Sequence, residues 1–366
     1  MNRLEEVSTK LEFMRGVLHE TEAAGIRLRG TDWFAWATAG GSNTVLLAAE
    51  TGVAEVLVTP TDAWILTDTI EAERLKDEEL PEGSSYKLSV NPWAKSSDRE
   101  SFVQEATNNG KILSDKPAAA NESSLPQSLT QHRWVMLPSE VERYRQVGRL
   151  ASEAMTEVLM RAEPNWTEYQ LAGAGAEAMW ARGLHPALTL AAGDRRLPIH
   201  RHPLPSGETL GRQAMLVFCA RGHGLVISLT RFVFFEGFTQ QDQQLHRTIA
   251  EIEAEALNNS QIGTPLNAVY NVLATAYKQH GYPNAIREHH QGGTASYGAR
   301  DVVANPETTS QLAANMAVAW NPSIPGAKIE DTFLLTSNNT LENLSFDPKF
   351  PHAEVEGRLR AVPLER

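Results

Sequence analysis

Four histidines and one glutamate carry the chemical interest of this sequence. Glu288-His289-His290-Gln291-Gly292-Gly293 is followed about thirty residues later by Trp320-Asn321-Pro322-Ser323-Ile324-Pro325-Gly326-Ala327-Lys328-Ile329-Glu330-Asp331. A second imidazole pair lies in Leu197-Pro198-Ile199-His200-Arg201-His202-Pro203-Leu204-Pro205. An imidazole titrates near neutrality, so it can take up and return a proton within one reaction cycle. Two glycines after His289 and His290 let backbone approach a ligand closely or turn through positive φ. Neighbouring side chains on a strand point to opposite faces, so one of His289 and His290 is expected to face a site and the other to pack.

The elements that must position these groups can be read from periodicity. An opening helix is expected over about 2–24, strands at Trp33–Ala37, Val53–Thr59 and Ala63–Thr67, and a charged helix at Ile70–Glu79 stopped by Pro81. The polar, Pro- and Ser-rich stretch 114–127 reads as a linker or exposed loop. After Pro138, Ser139-Glu-Val-Glu142 reads as a capping box, and Thr167-Glu-Tyr-Gln170 repeats the device before a helix ending at Gly183. Strands are expected at 214–220 and 224–235, helices at about 240–257 and 264–280, and strands at Met316–Trp320 and Asp331–Thr336. Helices alternating with short apolar strands give an α/β (α+β) chain of two domains, 1–138 and 139–366.

Composition narrows the function classes. A formal charge of −12 with no basic stripe excludes a nucleic-acid binder and matches anionic lipid poorly. No apolar run is long enough to span a bilayer, and the acidic start of the chain does not read as a secretory signal. The single cysteine, Cys219, has no internal disulfide partner, which fits a reducing, cytoplasmic compartment. Within its apolar strand it reads as a buried small hydrophobe.

The order of several segments resembles the pita-bread enzymes, which include aminopeptidase P, prolidase, methionine aminopeptidase and creatinase. Thr31-Asp-Trp-Phe-Ala-Trp-Ala-Thr-Ala-Gly-Gly41 and Thr67-Asp-Thr-Ile-Glu-Ala-Glu-Arg74 are similar to their N-terminal domain. Glu140-Val-Glu-Arg-Tyr-Arg145 is similar to the start of their catalytic domain. The resemblance implies an N-terminal creatinase-like α/β domain. It also implies a C-terminal domain with a curved antiparallel sheet cradled by two helix pairs, the site on the concave face. A homodimer is likewise implied, because in this group one subunit helps close its partner's site.

Most of these enzymes hold two metal ions with two Asp, one His and two Glu. Here the matching positions are Val217, Ser228, His290 (with Gly293) or His289 (with Gly292), Asn321 and Glu330. Val offers no lone pair, and neutral Ser and Asn oxygens cancel no charge, so bridging two hard cations is not expected. Neither a metal nor another cofactor is called for. Creatinase, by contrast, works without metal, using a histidine in a His-x-x-Pro context. His200 with Pro203 and His202 with Pro205 both fit that context.

The resemblance therefore implies a metal-independent hydrolase of a C–N bond in a small molecule such as an amidine, cyclic amidine or amide. Its acid–base candidates are His200, His202, His290 and Glu330. Substrate-binding candidates are His289, Asn321, Ser228, Tyr297, Arg201 and Arg287, with Arg231 as a further carboxylate clamp. Two other readings stay open: a non-catalytic binding homologue, and an Xaa-Pro-type peptidase with an altered metal site.

Overall fold

Asn2 and Glu5 cap each other's backbone N–H groups and open helix α1 (Arg3–Thr21), which ends where Glu22 turns left-handed. In the computed structural model, which describes residues 1–366, the chain divides into two compact units. One comprises Met1–Glu142 with His223–Leu225, the other Arg143–Gly222 with Val226–Arg366. The division falls at Glu142, within the helix that begins at Pro138.

The first unit is built on six strands: β1 (Gly25–Gly30), β2 (Thr51–Val58), β3 (Ala63–Asp68), β4 (Lys87–Asn91), β5 (Ile112–Ser114) and β6 (Glu122–Ser124). Their order is β4-β3-β2-β1-β5-β6, antiparallel in the middle and parallel towards both edges. Three local expectations change. Residues 33–37 lie in helix α2 (Thr31–Ala37), not a strand. Trp33 and Trp36 are three apart and stack edge-on at 5.5 Å, a helical neighbour relation that aromatic composition disguised. The stretch 114–127 is not all loop, because β6 pairs in parallel with β5. The charged helix at 70–79 shrinks to α3 (Ala72–Arg74) followed by a π-helical turn, Leu75–Glu79. Helices α4 (Ser96–Ala106) and α5 (Gln127–Trp134) complete the unit.

The capping box expected at Ser139 and Glu142 is replaced by another arrangement. Helix α6 (Pro138–Arg161) starts with Glu140 accepting from the Leu137 N–H at 2.7 Å. Ser139 instead donates to Glu6. Lys10, 1% exposed, is held between Glu6 and Glu140 at 2.7 Å each, so a buried cation is paired on both sides.

The second unit follows its sequence pattern more closely. Thr167 and Gln170 do form a capping box at the start of α7 (Glu168–Trp180). Gly175 lets α7 approach the sheet: a Cβ there would stand 2.6 Å from the Phe218 ring. Strands β7 (His185–Gly193), β8 (Gln213–Gly222) and β9 (Leu225–Phe234) form one sheet. Helices α8 (Gln240–Asn259) and α9 (Leu266–Gln279) follow, then the short α10 (Ala285–Glu288). Strands β10 (Gly292–Ala295), β11 (Val302–Val303), β12 (Ala317–Trp320), β13 (Ser323–Ile324), β14 (Ala327–Lys328), β15 (Asp331–Leu335) and β16 (Leu341–Asn343) come next. Of these, β11-β10-β12-β15-β16 form a second antiparallel sheet, and β13 and β14 form a hairpin. A hairpin of β17 (His352–Val355) and β18 (Arg358–Ala361) leads to β19 (Leu364–Glu365), which pairs with β9.

The two sheets join where Thr230 pairs with Glu330 and Thr332 Oγ1 exchanges hydrogen bonds with the Ser228 backbone, both at 3.0 Å. Beside this seam Arg231 holds Asp331 at 2.7 Å, and Arg360 bridges Asp331 and Glu253. Helices α8 and α9 cover the second sheet through Ile252, Leu257, Val269 and Leu273, packed against Val318 and Trp320. The pair α6–α7 and the pair α8–α9 thus bracket an antiparallel sheet, an α/β (α+β) architecture.

Gly292 opens β10 with φ +99°, and a Cβ on it would lie 2.1 Å from the Ala319 carbonyl. Both the backbone conformation and the contact demand glycine. Gly292→Ala is expected to destabilise the fold by at least about 1–3 kcal/mol from backbone strain alone. Urea denaturation of the two proteins checks it; equal midpoints would contradict the assignment.

Candidate active site

The loop between α10 and β10 decides where the paired imidazoles point. His289 is the last cap residue of α10 and is extended, with φ −157° and ψ 149°. His290 follows before the strand begins, so the strand rule of alternating faces does not govern the pair. The expectation that only one ring faces the site is corrected: His289 and His290 stack with centroids 4.5 Å apart and 21° between planes. Gln291, fully buried, fixes this turn by donating to the His289 carbonyl at 2.5 Å. Its own side-chain oxygen accepts from the Tyr277 hydroxyl at 2.8 Å.

His202 completes the cluster. Its Nε2 lies 2.7 Å from His289 Nε2, with the ring edge-on to His289 and 5.4 Å from the His290 centroid. Because two bare lone pairs repel, one of the facing nitrogens carries a proton. His289 is 9% exposed, and its Nδ1 is buried without a hydrogen-bond partner. His202 and His290 keep contact with solvent. His200 stands apart: it is exposed and lines a small recess with Leu197, Met215 and Lys328. The structure therefore brings together His202, His289 and His290, and leaves His200 outside the cluster.

Burial, then the Lys328 charge, lowers the basicity of His202. His290 is held down to about 4 by burial and by Arg300, His202 and Lys328, against the opposing pull of Glu330. His289, the most enclosed, is held down to about 2 by burial followed by Lys328 and the two neighbouring rings. All three imidazoles accordingly favour the neutral form more than a free histidine does.

Glu330, 3% exposed, is the anionic counterpart. Arg300 donates to its Oε1 at 2.6 Å, Thr230 Oγ1 to its Oε2 at 3.0 Å, and Lys328 Nζ lies 3.2 Å away. Burial alone would raise its pKa, but Lys328 and Arg300 outweigh that and hold it down at about 2. Arg300 also donates to Ser228 Oγ at 3.1 Å, and Ser228 sits 3.5 Å from Cys219 Sγ. Cys219 is therefore half-buried beside the site, not an isolated core residue, and burial pushes its thiol pKa up.

The remaining candidates divide. Asn321 is 2% exposed, and its Oδ1 has no partner; Tyr297 is equally buried. Arg201 is ion-paired to Glu288 at 2.6 Å, and Arg231 belongs to the buried Asp331 network, so neither is a free clamp. Arg287 is exposed. A cavity of about 610 Å³ reaches Thr230 and Lys328 but none of the three clustered imidazoles.

Arg300 and Lys328 escaped the sequence reading. Lys328 carried a signal, since it lies two residues before Glu330 and so on the same side of an extended chain. Arg300 carried none, because it reaches Glu330 through the turn after β10.

The same geometry tests a dinuclear metal centre, and the residues do not fit one. Val217 packs with Leu190, Met215 and Phe232. Ser228 already accepts from a guanidinium, and Asn321 brings no charge. Glu330, the only carboxylate left, is occupied by two fixed cations.

Removing one of those cations has a defined consequence. A carboxylate lowered from 4.5 to about 2 adds roughly 3 kcal/mol of stability. That contribution is complete above about pH 4.5 and is lost as pH falls towards 2. In Arg300→Met the Glu330 pKa should rise, so acid unfolding should begin at higher pH and neutral-pH stability should fall. Urea midpoints between pH 3 and 7 check this; superimposable profiles would refute the clamp.

Comparison with known proteins agrees with this architecture. The family model described as metallopeptidase family M24 matches residues 142–337, more than half of the chain. The Xaa-Pro dipeptidase from Bacillus anthracis superposes with a TM-score of 0.76, covering 94% of this chain and 98% of its own at 16% identity. The dipeptidase PepE from Mycobacterium ulcerans gives 0.76 over 100% of both chains at 15% identity. The N-terminal domain of the FACT complex subunit SPT16 from Cicer arietinum gives 0.71 over 94% and 96% at 10% identity. A search of curated proteins gives no match. The structural likenesses speak to fold. With the family match they lead to one conclusion: the chain belongs to metallopeptidase family M24 and has its pita-bread fold.

Proposed function

We propose that this protein is a hydrolase that cleaves a C–N bond of a small molecule, an amidine, cyclic amidine or amide, by imidazole acid–base catalysis and without a dinuclear metal centre. One observation carries the reading: Glu330, the remaining carboxylate of the site, is neutralised by Arg300 and Lys328 instead of being available to metal ions. Family membership supports the hydrolase class, and the likeness to dipeptidases supports an amide-type bond.

Neutral imidazoles suit the chemistry. A base ring takes a proton from water as the oxygen attacks the sp² carbon, and a ring carrying a proton gives it to the departing nitrogen. The 2.7 Å contact of His202 and His289 lets a proton pass between rings. Two cations against one carboxylate leave a net positive charge at Glu330, which favours the oxyanion of an amide's tetrahedral intermediate and a substrate bearing a carboxylate, and disfavours an amidine bound as its cation. Asn321 Oδ1 is buried and unpartnered, which supports a role as acceptor for a substrate N–H.

A second reading is favoured by the near-complete coverage of the Bacillus anthracis Xaa-Pro dipeptidase: the bond is the imide of an Xaa-Pro dipeptide. It uses the same imidazoles and differs in substrate.

Screening chelator-treated protein against amidines, cyclic amidines, ureido acids and Xaa-Pro dipeptides separates the two. A hit should lose about 10²–10⁴-fold in kcat in His202→Ala and His290→Ala. Unchanged turnover in both variants, or turnover only after metal is restored, would refute the metal-independent reading. Ligand binding without turnover would identify a binding homologue. The pH profile gives a further check. A base that must be neutral loses activity on protonation, so kcat/KM should stay level down to about pH 5 and fall towards His290's pKa of about 4. A midpoint near 6.5 would exclude His290 as that base.

A further inference from the structure

The three clustered imidazoles have a property that acid–base chemistry does not use. One ring nitrogen from each of His202, His289 and His290 lies within 4.8 Å of the other two. They come from two separate loops, one before β8 and one between α10 and β10. His289 is nine-tenths buried, its Nδ1 has no protein partner, and its Nε2 is pressed to 2.7 Å from another Nε2. Whichever ring carries the proton there, His289 keeps one nitrogen unsatisfied or unfavourably opposed. An ion that accepts the facing lone pairs would replace that single proton-mediated contact with a nitrogen–metal bond from each ring.

We propose that His202, His289 and His290 form a mononuclear site for a borderline divalent transition ion of the zinc type. Three neutral nitrogens suit such an ion, whereas hard cations prefer oxygen. Nitrogen–metal distances of about 2.0–2.1 Å put tetrahedral ligand nitrogens roughly 3.3 Å apart, between the 2.7 Å contact and the 4.8 Å bound of this cluster. His202 and His290 are solvent-exposed, so an ion can reach the site and a fourth ligand can come from water. Gln291, locked by Tyr277, holds the His289 backbone in place. The set is not the carboxylate-rich dinuclear arrangement, since His202 and at least one of the histidine pair lie outside the positions that correspond to it. The site would also regulate. This part rests on the proposed function: an ion on these nitrogens occupies the lone pairs that move protons, so it inhibits turnover.

The test is uptake of Zn²⁺ by chelator-treated full-length protein, followed by competition with a chromophoric chelator, with Co²⁺ absorption as a spectroscopic reporter. One ion per chain is expected, with the visible bands of nitrogen-ligated Co²⁺. His202→Ala, in an exposed loop, should weaken uptake at least about 100-fold, while His280→Ala, a surface histidine beside Glu251, should not change it. Circular dichroism and thermal unfolding establish that each variant is folded. Absence of stoichiometric uptake, or equal uptake by the His202→Ala/His289→Ala/His290→Ala variant, would overturn the proposal. Neither result depends on turnover. Conversely, stoichiometric uptake without turnover of any substrate would leave the site standing and remove the hydrolase reading. Zinc-stimulated turnover would overturn the inhibitory role.

Discussion

The clamp on Glu330 is the interaction on which the site depends. A carboxylate buried at the seam of two sheets must be compensated, since an isolated buried charge costs several kcal/mol. Two metal ions are one way to compensate it; this chain uses a guanidinium and an ammonium fixed by covalent attachment. That choice propagates outward. Arg300 must reach Ser228 as well as Glu330, which is possible because Ser228 carries a short hydroxyl side chain. Val217 lies in an apolar cluster with Leu190, Met215 and Phe232.

A second buried charge network lies beside the clamp. Asp331 is shared by Arg231 and Arg360, and Arg360 also holds Glu253 on α8. Burial, with the nearby Asp331 charge, raises the Glu253 carboxyl to about 7 even though Arg360 opposes it. This network ties β9, β15, β18 and α8 together directly behind the seam. Adjacent residues 330 and 331 thus serve two networks, one towards the imidazoles and one towards the helices. The arrangement keeps Glu330 fixed while the loops bearing the imidazoles remain open to solvent.

Much of this could be read in the sequence, and the failures have physical reasons. Thr167 and Gln170 gave a helix start that the structure contains, because a capping box is a local interaction. Ser139 did not cap as its pattern suggested, because its hydroxyl found Glu6, far away in sequence. Trp33–Ala37 looked like a strand by composition, whereas the i,i+3 aromatic contact belongs to a helix. Around the site, the non-carboxylate residues Val217 and Ser228 were visible as residue type alone. The clamp on Glu330 was not, because Arg300 meets Glu330 only through a tertiary turn. The stacking of His289 on His290 was equally hidden, since it depends on α10 ending one residue before the pair.

The most direct measurement is an anomalous difference map from crystals soaked in Mn²⁺. The clamp predicts no pair of peaks at Glu330 and an intact contact between Arg300 and its carboxylate. Two bridged peaks there, with Arg300 swung away, would contradict it.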